Sequence, residues 1–162
     1  MNKKEIIWAP WRMGYILGIK KDKCFLCESI NSKKNEYVIY KKQYSFIIMN
    51  IFPYNNGHIM IAPVRHLKNL EDLKEEELNE IGQLIKISVK VLKKVLKPDG
   101  FNIGLNIGKV SGAGLEEHIH IHIVPRWQGD TNFMPVISNT KVIPQSLKEL
   151  SKILKKEFKN EK

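Results

Sequence analysis

The chain has 162 residues, 43% of them hydrophobic, so residues 1–162 are expected to form a single domain with its own core. Lysine and arginine outnumber aspartate and glutamate by 27 to 17, and the formal net charge of +10 favours anionic ligands. No stretch approaches the about 20 apolar residues of a membrane-spanning helix, and the N-terminus lacks the apolar segment of a secretory signal. We therefore expect a cytoplasmic protein without membrane contact.

The positive charge alone does not distinguish nucleotides from nucleic acid as the anionic ligand. Much of it is lysine scattered among glutamate in helical stretches, which is typical of a solvated helix face. The aromatic residues are not interleaved with these lysines, as a nucleic-acid platform requires. A small nucleotide is therefore expected, rather than nucleic acid.

Residues 1–23 form an aromatic arm in which Trp8 and Trp11 flank Pro10. Three roles are open for this arm. It can pack on the body of the fold, it can reach a ligand through Arg12 or an indole ring, or it can cross to a dimer partner.

The two cysteines, Cys24 and Cys27, have a Cys-x-x-Cys spacing. In a reducing compartment this spacing favours metal binding or redox chemistry over a structural disulfide. A tetrahedral zinc site needs two more ligands, for which His66 is one candidate. An empty dithiol is the next alternative, and a redox motif fits less well because no strand–helix–strand pattern surrounds the pair.

Three strands are predicted in the first half of the chain. Residues 37–40 and 44–49 are rich in β-branched and aromatic side chains and are separated by three residues, as in a hairpin. Residues 52–57 end in Asn-Gly, a strong turn signal, before a third strand at 58–63. The order predicts an antiparallel meander.

Two helices are predicted from apolar residues at the i, i+3/i+4 spacing. The long one covers residues 74–97, with Asp72 as the expected cap and Pro98-Asp99-Gly100 as its end. We assign it no chemistry. The C-terminal tail, residues 140–162, is predicted to form a second, packing helix.

Residues 101–108 read as a strand in which apolar residues alternate with Asn and Gly, and small residues allow a ligand to approach closely. The loop 109–114 that follows is rich in glycine, and its backbone N–H groups could hold phosphate oxygens. A glycine loop alone is a weak signal, but this one leads into the most informative segment of the chain.

In that segment histidines alternate with isoleucines. On a β-strand, His118, His120 and His122 share one face, and the isoleucines between and after them take the other. Three interpretations compete: buried structural histidines, a purely metal-binding strand, and nucleophilic chemistry by neutral imidazole. We favour the last, because structural histidines usually occur singly.

The motif His-φ-His-φ-His-φ-φ, in which φ is a hydrophobic residue, is followed by Pro-Arg. It resembles the signature of the histidine triad (HIT) family of nucleotide hydrolases and transferases. Four further runs are similar to its bacterial diadenosine tetraphosphate phosphorylase-like branch: Trp-Ala-Pro-Trp-Arg-Met, Ser-Gly-Ala-Gly, Pro-Arg-Trp-x-Gly-Asp-x-Asn-Phe-Met-Pro-Val and Thr-Lys-Val. The resemblance spans nearly the whole chain. It implies an α+β fold, in which an antiparallel meander sheet carries one long helix and a C-terminal helix.

The resemblance also implies roles for individual residues. His120 would be the nucleophile, assisted by His122 and His118, with His58 close to the triad. A structural zinc would be held by the ligands Cys24, Cys27, His66 and His118. The nucleotide would contact Asn50 near the ribose, for which a turn cap is the alternative, and Trp127 near the base, for which core packing is the alternative. Phosphate contacts would come from Asn106, Gly112, Ala113 and Gly114.

The expected enzyme is a nucleotidyltransferase or nucleotide hydrolase that cleaves dinucleoside polyphosphates at the α-phosphate through a covalent nucleotidyl-histidine. Phosphate as acceptor gives ADP and ATP from diadenosine tetraphosphate, and water gives AMP; the branch resemblance favours phosphate. A non-catalytic nucleotide-binding module and a metalloenzyme with metal on all three histidines are the rival classes. The scheme needs no catalytic metal, although Mg²⁺ can arrive with the substrate, and a homodimer is expected.

One stretch departs from the family pattern. Better-known triad hydrolases carry Gln-Ser or Gln-Thr shortly before the first histidine, whereas this chain has Leu115-Glu116-Glu117. If the strand ran through Glu116, its carboxylate would share the histidine face and repel a polyphosphate. A backbone turn at this point is therefore expected.

Overall fold

A computed structural model describes residues 24–32, 35–131, 133–134, 137 and 142–161. In the described part of the chain, five strands form one antiparallel sheet in the order β1-β2-β3-β5-β4 and three α-helices accompany it, which confirms the predicted α+β class. The elements are α1 (Phe25–Asn31), β1 (Val38–Lys41), β2 (Ser45–Met49), β3 (Ile59–Pro63), α2 (Glu75–Leu96), β4 (Gly100–Leu105), β5 (Ile121–Arg126) and α3 (Leu147–Asn160). The aromatic arm, residues 1–23, lies outside the described residues.

The first three strands form the predicted meander. Strands β2 and β3 pair along their whole length and are buried at every position, as expected for strands that are covered on both faces. The turn between them depends on Gly57, which has φ 73°. A Cβ at this glycine would lie 2.3 Å from Leu96 Cδ1 and 3.3 Å from Pro125 Cγ, so a larger residue would displace the turn from α2 and β5.

The last two strands depart from a simple meander, because β5 lies between β3 and β4. Both are shorter than predicted. Strand β4 ends at Leu105, and β5 begins only at Ile121, so His118 and His120 precede the ladder. The cause is a contact with a distant segment, since the N–H of Ile119 donates to the backbone oxygen of Leu67, which is 2.8 Å away and lies beyond the end of β3.

Helix α2 packs on the sheet as predicted, with buried Leu84 and Leu92 in the main core. The expected cap, Asp72, is wrong: it ends a short 3₁₀ turn, and the helix starts after Lys74. The Oε2 atom of Glu77 instead accepts the Lys74 N–H at 2.8 Å, because a carboxylate three residues into the helix can reach back to the exposed donor.

Helix α3 packs on β1 and α2. Its cap is Ser146, whose Oγ accepts the Glu149 N–H, and Phe158 is fully buried and stacks on Tyr40 with ring centroids 5.8 Å apart. This confirms a packing helix within the predicted tail, of which residues 140–141 and 162 lie outside the described ones. Among the described residues, no helix combines the length and apolarity needed to cross a bilayer.

An ion pair ties the start of α2 to the end of β3. Glu77 is 4% exposed and accepts two hydrogen bonds from Arg65, at 3.0 and 2.8 Å. The Arg65 hydrogen bond, opposed by burial, holds the pKa of Glu77 below its ordinary value of 4.5. Folding lowers the pKa of Glu77, so the ionised carboxylate raises the free energy of unfolding. This contribution is fully present above the pKa of the unfolded state, about 4.3, and it is lost as the pH falls through the lower pKa of the folded state.

We therefore expect Glu77→Gln to lower the free energy of unfolding at pH 7 by about 1–3 kcal/mol, since a buried charged hydrogen bond is lost. The variant should also lose less stability than the wild type between neutral pH and pH ~3. Urea unfolding followed by circular dichroism at several pH values measures both effects.

Glu36→Gln is the matched control, because Glu36 and its partner Lys148 are both exposed. Its effect on the free energy of unfolding should be smaller. Equal losses in the two variants, or an unchanged acid dependence in Glu77→Gln, would contradict this account of the helix start.

Candidate active site

The structure brings four histidines of the sequence prediction together at the start of β5. The rings of His120 and His122 have centroids 4.8 Å apart, and those of His58 and His122 are 5.1 Å apart. His58 and His118 are fully buried, and His120 is 7% exposed. As predicted, the isoleucines point into the core; they are Ile119, Ile121 and Ile123.

Among the described residues the His120 ring has one hydrogen-bond partner, and the tautomer of the ring follows from this contact. Its Nδ1 lies 2.8 Å from the backbone oxygen of His118, and a carbonyl only accepts, so Nδ1 carries the proton. The Nε2 atom is then left with its lone pair. Burial lowers the pKa of His120, against the opposing effect of this hydrogen bond, so the ring is held neutral. A neutral imidazole with a free Nε2 is a competent nucleophile.

The tautomer of His122 is set through a chain of two hydrogen bonds. The N–H of Tyr54 donates to His58 Nδ1 at 3.0 Å, so the proton of His58 is on Nε2. That Nε2–H donates to His122 Nδ1 at 2.9 Å, which leaves the proton of His122 on its Nε2. The neighbouring rings of His120 and His122 therefore present opposite functions: a lone pair on the first and a donor on the second.

Burial keeps the rings of His58 and His122 uncharged. It lowers the pKa of His58 to about 3, with smaller contributions from the charges of His122 and His120. It lowers the pKa of His122 to about 4, with a smaller contribution from His120. At neutral pH the site therefore contains fixed, neutral imidazoles.

Tyr54 was not predicted from the sequence. Its ring lies over His58 and His122, with centroids 4.7 and 5.6 Å away, and the residue is 54% exposed. It also lines a cavity of about 230 Å³ on the same side of the sheet, whose other walls are Asn55, Asn102, Val124 and Arg126. A tyrosine within a turn has no periodic pattern that marks it as functional.

The proposed ribose ligand, Asn50, sits beside this group as a turn cap. Its Oδ1 accepts the N–H of Phe52 at 2.8 Å, the alternative that the sequence left open. Its Nδ2 is 3.5 Å from His58 Nε2, so the residue lies next to the histidines.

The glycine loop is exposed and partly ordered by its own contacts. Residues Lys109–Ser111 form a 3₁₀ turn between Gly108 and Gly112, which have φ 76° and 86°. Asn106 Nδ2 lies 3.5 Å from the Gly112 oxygen, and Ala113 and Gly114 follow. The loop thus keeps Asn106 near the glycines, as the phosphate-site prediction requires.

The backbone turns at Glu116 and Glu117, as expected. Lys68 Nζ lies 2.9 Å from Glu117 Oε1 and 3.9 Å from Glu116 Oε2. The two carboxylates are therefore paired with a lysine and do not extend the histidine face.

Trp127 lies one residue beyond β5 and is half-buried. In the described part of the chain the Trp127 ring contacts none of the histidines. The backbone N–H of Trp127 donates to Asp130 Oδ2 at 3.2 Å. The preceding Arg126 donates to both carboxylate oxygens of Asp130 and to Asn102 Oδ1. The structure therefore does not bring Trp127 into the histidine group.

A second cluster lies on the other side of His118. Ligand atoms of Cys24, Cys27, His66 and His118 all lie within 4.8 Å of one another, which is the predicted metal set. His118 Nδ1 is 3.2 Å from Cys24 Sγ, and His66 Nδ1 is 3.3 Å from Cys27 Sγ. Burial, and then the hydrogen bond with Cys24, raises the pKa of the Cys27 thiol to about 11.

The donor set fits a metal that prefers nitrogen and sulfur. The Nε2–H of His118 donates to the backbone oxygen of Pro63 at 2.9 Å, so its Nδ1 offers a lone pair to the cluster. A backbone carbonyl on the outer nitrogen is the usual partner of a metal-binding histidine. Two cysteines and two histidines in this arrangement match the ligands of structural zinc.

Comparison with known proteins identifies a family and several relatives. The model of the HIT domain family matches residues 31–129. The AP-4-A phosphorylase of Mycobacterium tuberculosis is 35% identical over 167 residues, covering 97% of this chain and 86% of that protein. The asymmetrical bis(5'-nucleosyl)-tetraphosphatase of Schizosaccharomyces pombe is 31% identical over 93 residues, covering 57% of this chain and 50% of that protein.

Among solved structures, a hypothetical histidine triad nucleotide-binding protein from Sulfolobus tokodaii superposes with a TM-score of 0.69 at 28% identity. The superposition covers 85% of this chain and 93% of that one. The chain therefore belongs to the HIT domain family, as the histidine motif indicated.

The hydrogen-bond chain makes a spectroscopic prediction. At pH 7 the His122 ring should be neutral with its proton on Nε2, and it should stay neutral down to about pH 5, because its pKa is about 4. Ring-nitrogen chemical shifts from NMR of ¹⁵N-labelled protein report both properties. In His58→Ala, His122 should populate both tautomers. A His122 ring with its proton on Nδ1 in the wild type would contradict the assignment.

Proposed function

We propose that this chain is a nucleotidyltransferase that cleaves dinucleoside polyphosphates through a covalent intermediate on His120. The observation that carries the proposal is the pair of opposite tautomers at His120 and His122. A lone pair and a proton donor, on rings 4.8 Å apart, are the two functions that the displacement of a polyphosphate from phosphorus needs.

In the first step, His120 Nε2 attacks the α-phosphorus, an N–P bond forms, and the bond from that phosphorus to the bridging oxygen breaks. The electron pair of the broken bond goes to the leaving polyphosphate, which His122 Nε2–H stabilises by donating a hydrogen bond or its proton. The carbonyl of His118 accepts from Nδ1–H of His120, and so stabilises the positive charge that develops on this ring.

In the second step, an acceptor attacks the phosphorus of the nucleotidyl-histidine and the N–P bond breaks, which returns the electron pair to His120. We propose inorganic phosphate as this acceptor, so that diadenosine tetraphosphate gives ADP and ATP. The 35% identity to a protein named AP-4-A phosphorylase, over 97% of this chain, supports this choice. Water as acceptor, giving AMP, is the second candidate, which the tetraphosphatase name of the yeast relative favours.

The nucleotide contacts belong to the same proposal. Asn50 would lie near the ribose, and the loop from Asn106 to Gly114 would donate to phosphate oxygens. The open ring of Tyr54 over the histidines suits stacking better than Trp127, which the fold leaves outside the group.

We further propose that the Cys/His cluster holds a structural zinc. Its nitrogen and sulfur donors exclude it as a Mg²⁺ site, because Mg²⁺ requires oxygen ligands. In the described part of the chain it is the only group of three or more Cys, His, Asp or Glu residues with converging ligand atoms. Arrival of Mg²⁺ with the substrate stays a prediction of the sequence.

A homodimer is also part of the proposal. Strand β4 forms one edge of the sheet, and Ile103 on it is 44% exposed, so the edge is open to pairing with a second copy. A single domain over residues 1–162 and a cytoplasmic location stay predictions of the sequence.

The nucleophile is tested directly by replacing His120. We expect His120→Asn to reduce turnover of diadenosine tetraphosphate by at least about 10³-fold, since nothing else can form the intermediate. Wild-type protein that is mixed with substrate and acid-quenched should gain the mass of one adenylyl group on the peptide that contains His120. His122→Asn is the matched control; it should be slower but still form the adduct. Normal turnover by His120→Asn would disprove the mechanism.

The acceptor is tested by product analysis. With diadenosine tetraphosphate and millimolar phosphate, we expect ADP and ATP in equal amounts; without phosphate, we expect turnover to fall by at least about tenfold, because water is the poorer acceptor. Chromatography of the nucleotides measures both. AMP and ATP in equal amounts, with no ADP at any phosphate concentration, would mean that water is the acceptor; the enzyme would then be a hydrolase, and the covalent mechanism would stay intact.

A further inference from the structure

One residue, His118, belongs to both the metal cluster and the nucleophile's environment. Its side-chain Nδ1 faces Cys24 Sγ at 3.2 Å, and its backbone oxygen accepts from His120 Nδ1–H at 2.8 Å. The proton of His120 is therefore held by the main chain of a cluster residue. Any displacement of that residue changes the direction in which His120 Nε2 points.

The segment from His118 to His120 does not share in the sheet ladder, because β5 begins at Ile121. It is held instead by the last residue of β3 and by the chain that follows this strand. His118 Nε2–H donates to the Pro63 oxygen at 2.9 Å, and the Ile119 N–H donates to the Leu67 oxygen at 2.8 Å.

The segment from His118 to His120 also borders the Cys/His cluster, because the His118 ring belongs to it. His66 lies next to Leu67 in the chain and contributes to the same cluster as His118. It is exposed, unlike the buried His118, so it can be replaced with little effect on the core. A metal bound between His66, His118 and the two cysteines would join three separate segments around the backbone that orients the nucleophile.

We propose that the Cys/His cluster is a positioning device for the nucleophile, with His66 as a positioning residue: when the cluster is filled, it fixes the His118 backbone and so holds His120 Nδ1–H on its acceptor. The inference rests on the proposed function for its kinetic consequence. A purely structural metal site would differ, because its loss would lower the melting temperature and leave turnover by the folded protein unchanged.

The size of the effect follows from general rules. Loss of residues that orient a catalytic or metal-binding group commonly reduces activity by about 10–100-fold, and a misplacement of about 1 Å alone can cost about 100-fold. The substrate contacts proposed above lie on other segments of the chain. The loss should therefore fall on kcat and leave KM within about threefold.

The test compares His66→Ala with His66→Cys, which restores a ligand that zinc accepts, and with Lys86→Ala, an exposed control on α2. Zinc content is measured by elemental analysis and folding by melting temperature. Turnover is measured well below the lowest melting temperature, and the hydrogen-bonded Nδ1–H of His120 is followed by ¹⁵N NMR. If His66→Ala does not fold, chelator-treated wild type replaces it.

We expect His66→Ala to lose zinc, to show a 10–100-fold lower kcat with little change in KM, and to broaden or lose the His120 Nδ1–H signal. His66→Cys should restore zinc and both readouts, and Lys86→Ala should match the wild type. Folded, zinc-free protein with wild-type kcat and an unchanged His120 signal would overturn the inference. If the wild type forms no adenylyl adduct, the proposed function fails instead, and the NMR signal still tests the positioning.

Discussion

The hydrogen bond from His120 Nδ1–H to the carbonyl oxygen of His118 is the interaction on which the proposed chemistry of this site depends. A neutral imidazole has one proton for two nitrogens, and only the nitrogen without it can attack phosphorus. Tying the proton to the main chain leaves the lone pair on Nε2. It also places a fixed dipole where positive charge develops when that lone pair forms a bond.

The rest of the fold holds the two partners of this bond in place. The isoleucines that alternate with the histidines anchor the segment in the core, with Ile119, Ile121 and Ile123 all nearly or fully buried. On one side, the hydrogen bonds from Tyr54 to His58 and from His58 to His122 fix the tautomer of His122. On the other side, the Cys/His cluster receives the His118 ring. The three histidines thus act differently although they repeat in the sequence, because each meets a different neighbour.

Much of this was accessible from the sequence, since periodic patterns report on sheets and helices directly. The helix predicted at 74–97 is found at Glu75–Leu96, and the alternation of histidine and isoleucine correctly placed the isoleucines on the core face. The cysteine spacing alone left the metal ligands open, and the family resemblance implied the set of Cys24, Cys27, His66 and His118 that the structure brings together.

What the sequence could not supply depends on contacts between distant segments. The late start of β5 is caused by the N–H of Ile119, which bonds to the oxygen of Leu67, and backbone acceptors leave no trace in side-chain patterns. The backbone carbonyl of Pro63, which fixes the His118 tautomer, cannot be read from side-chain patterns either. Tyr54 was missed because a turn has no periodicity, and the cap at Asp72 was wrong because Glu77 reaches the exposed donor of Lys74.

The central claim, a covalent nucleotidyl-histidine, is tested most directly by stereochemistry at phosphorus. A diadenosine tetraphosphate with sulfur at one α-phosphorus of known configuration is converted in the presence of phosphate, and the configuration of the sulfur-containing ADP is determined by ³¹P NMR. Two successive in-line displacements, first by His120 and then by phosphate, predict overall retention. Inversion would mean a single direct displacement and would contradict the account.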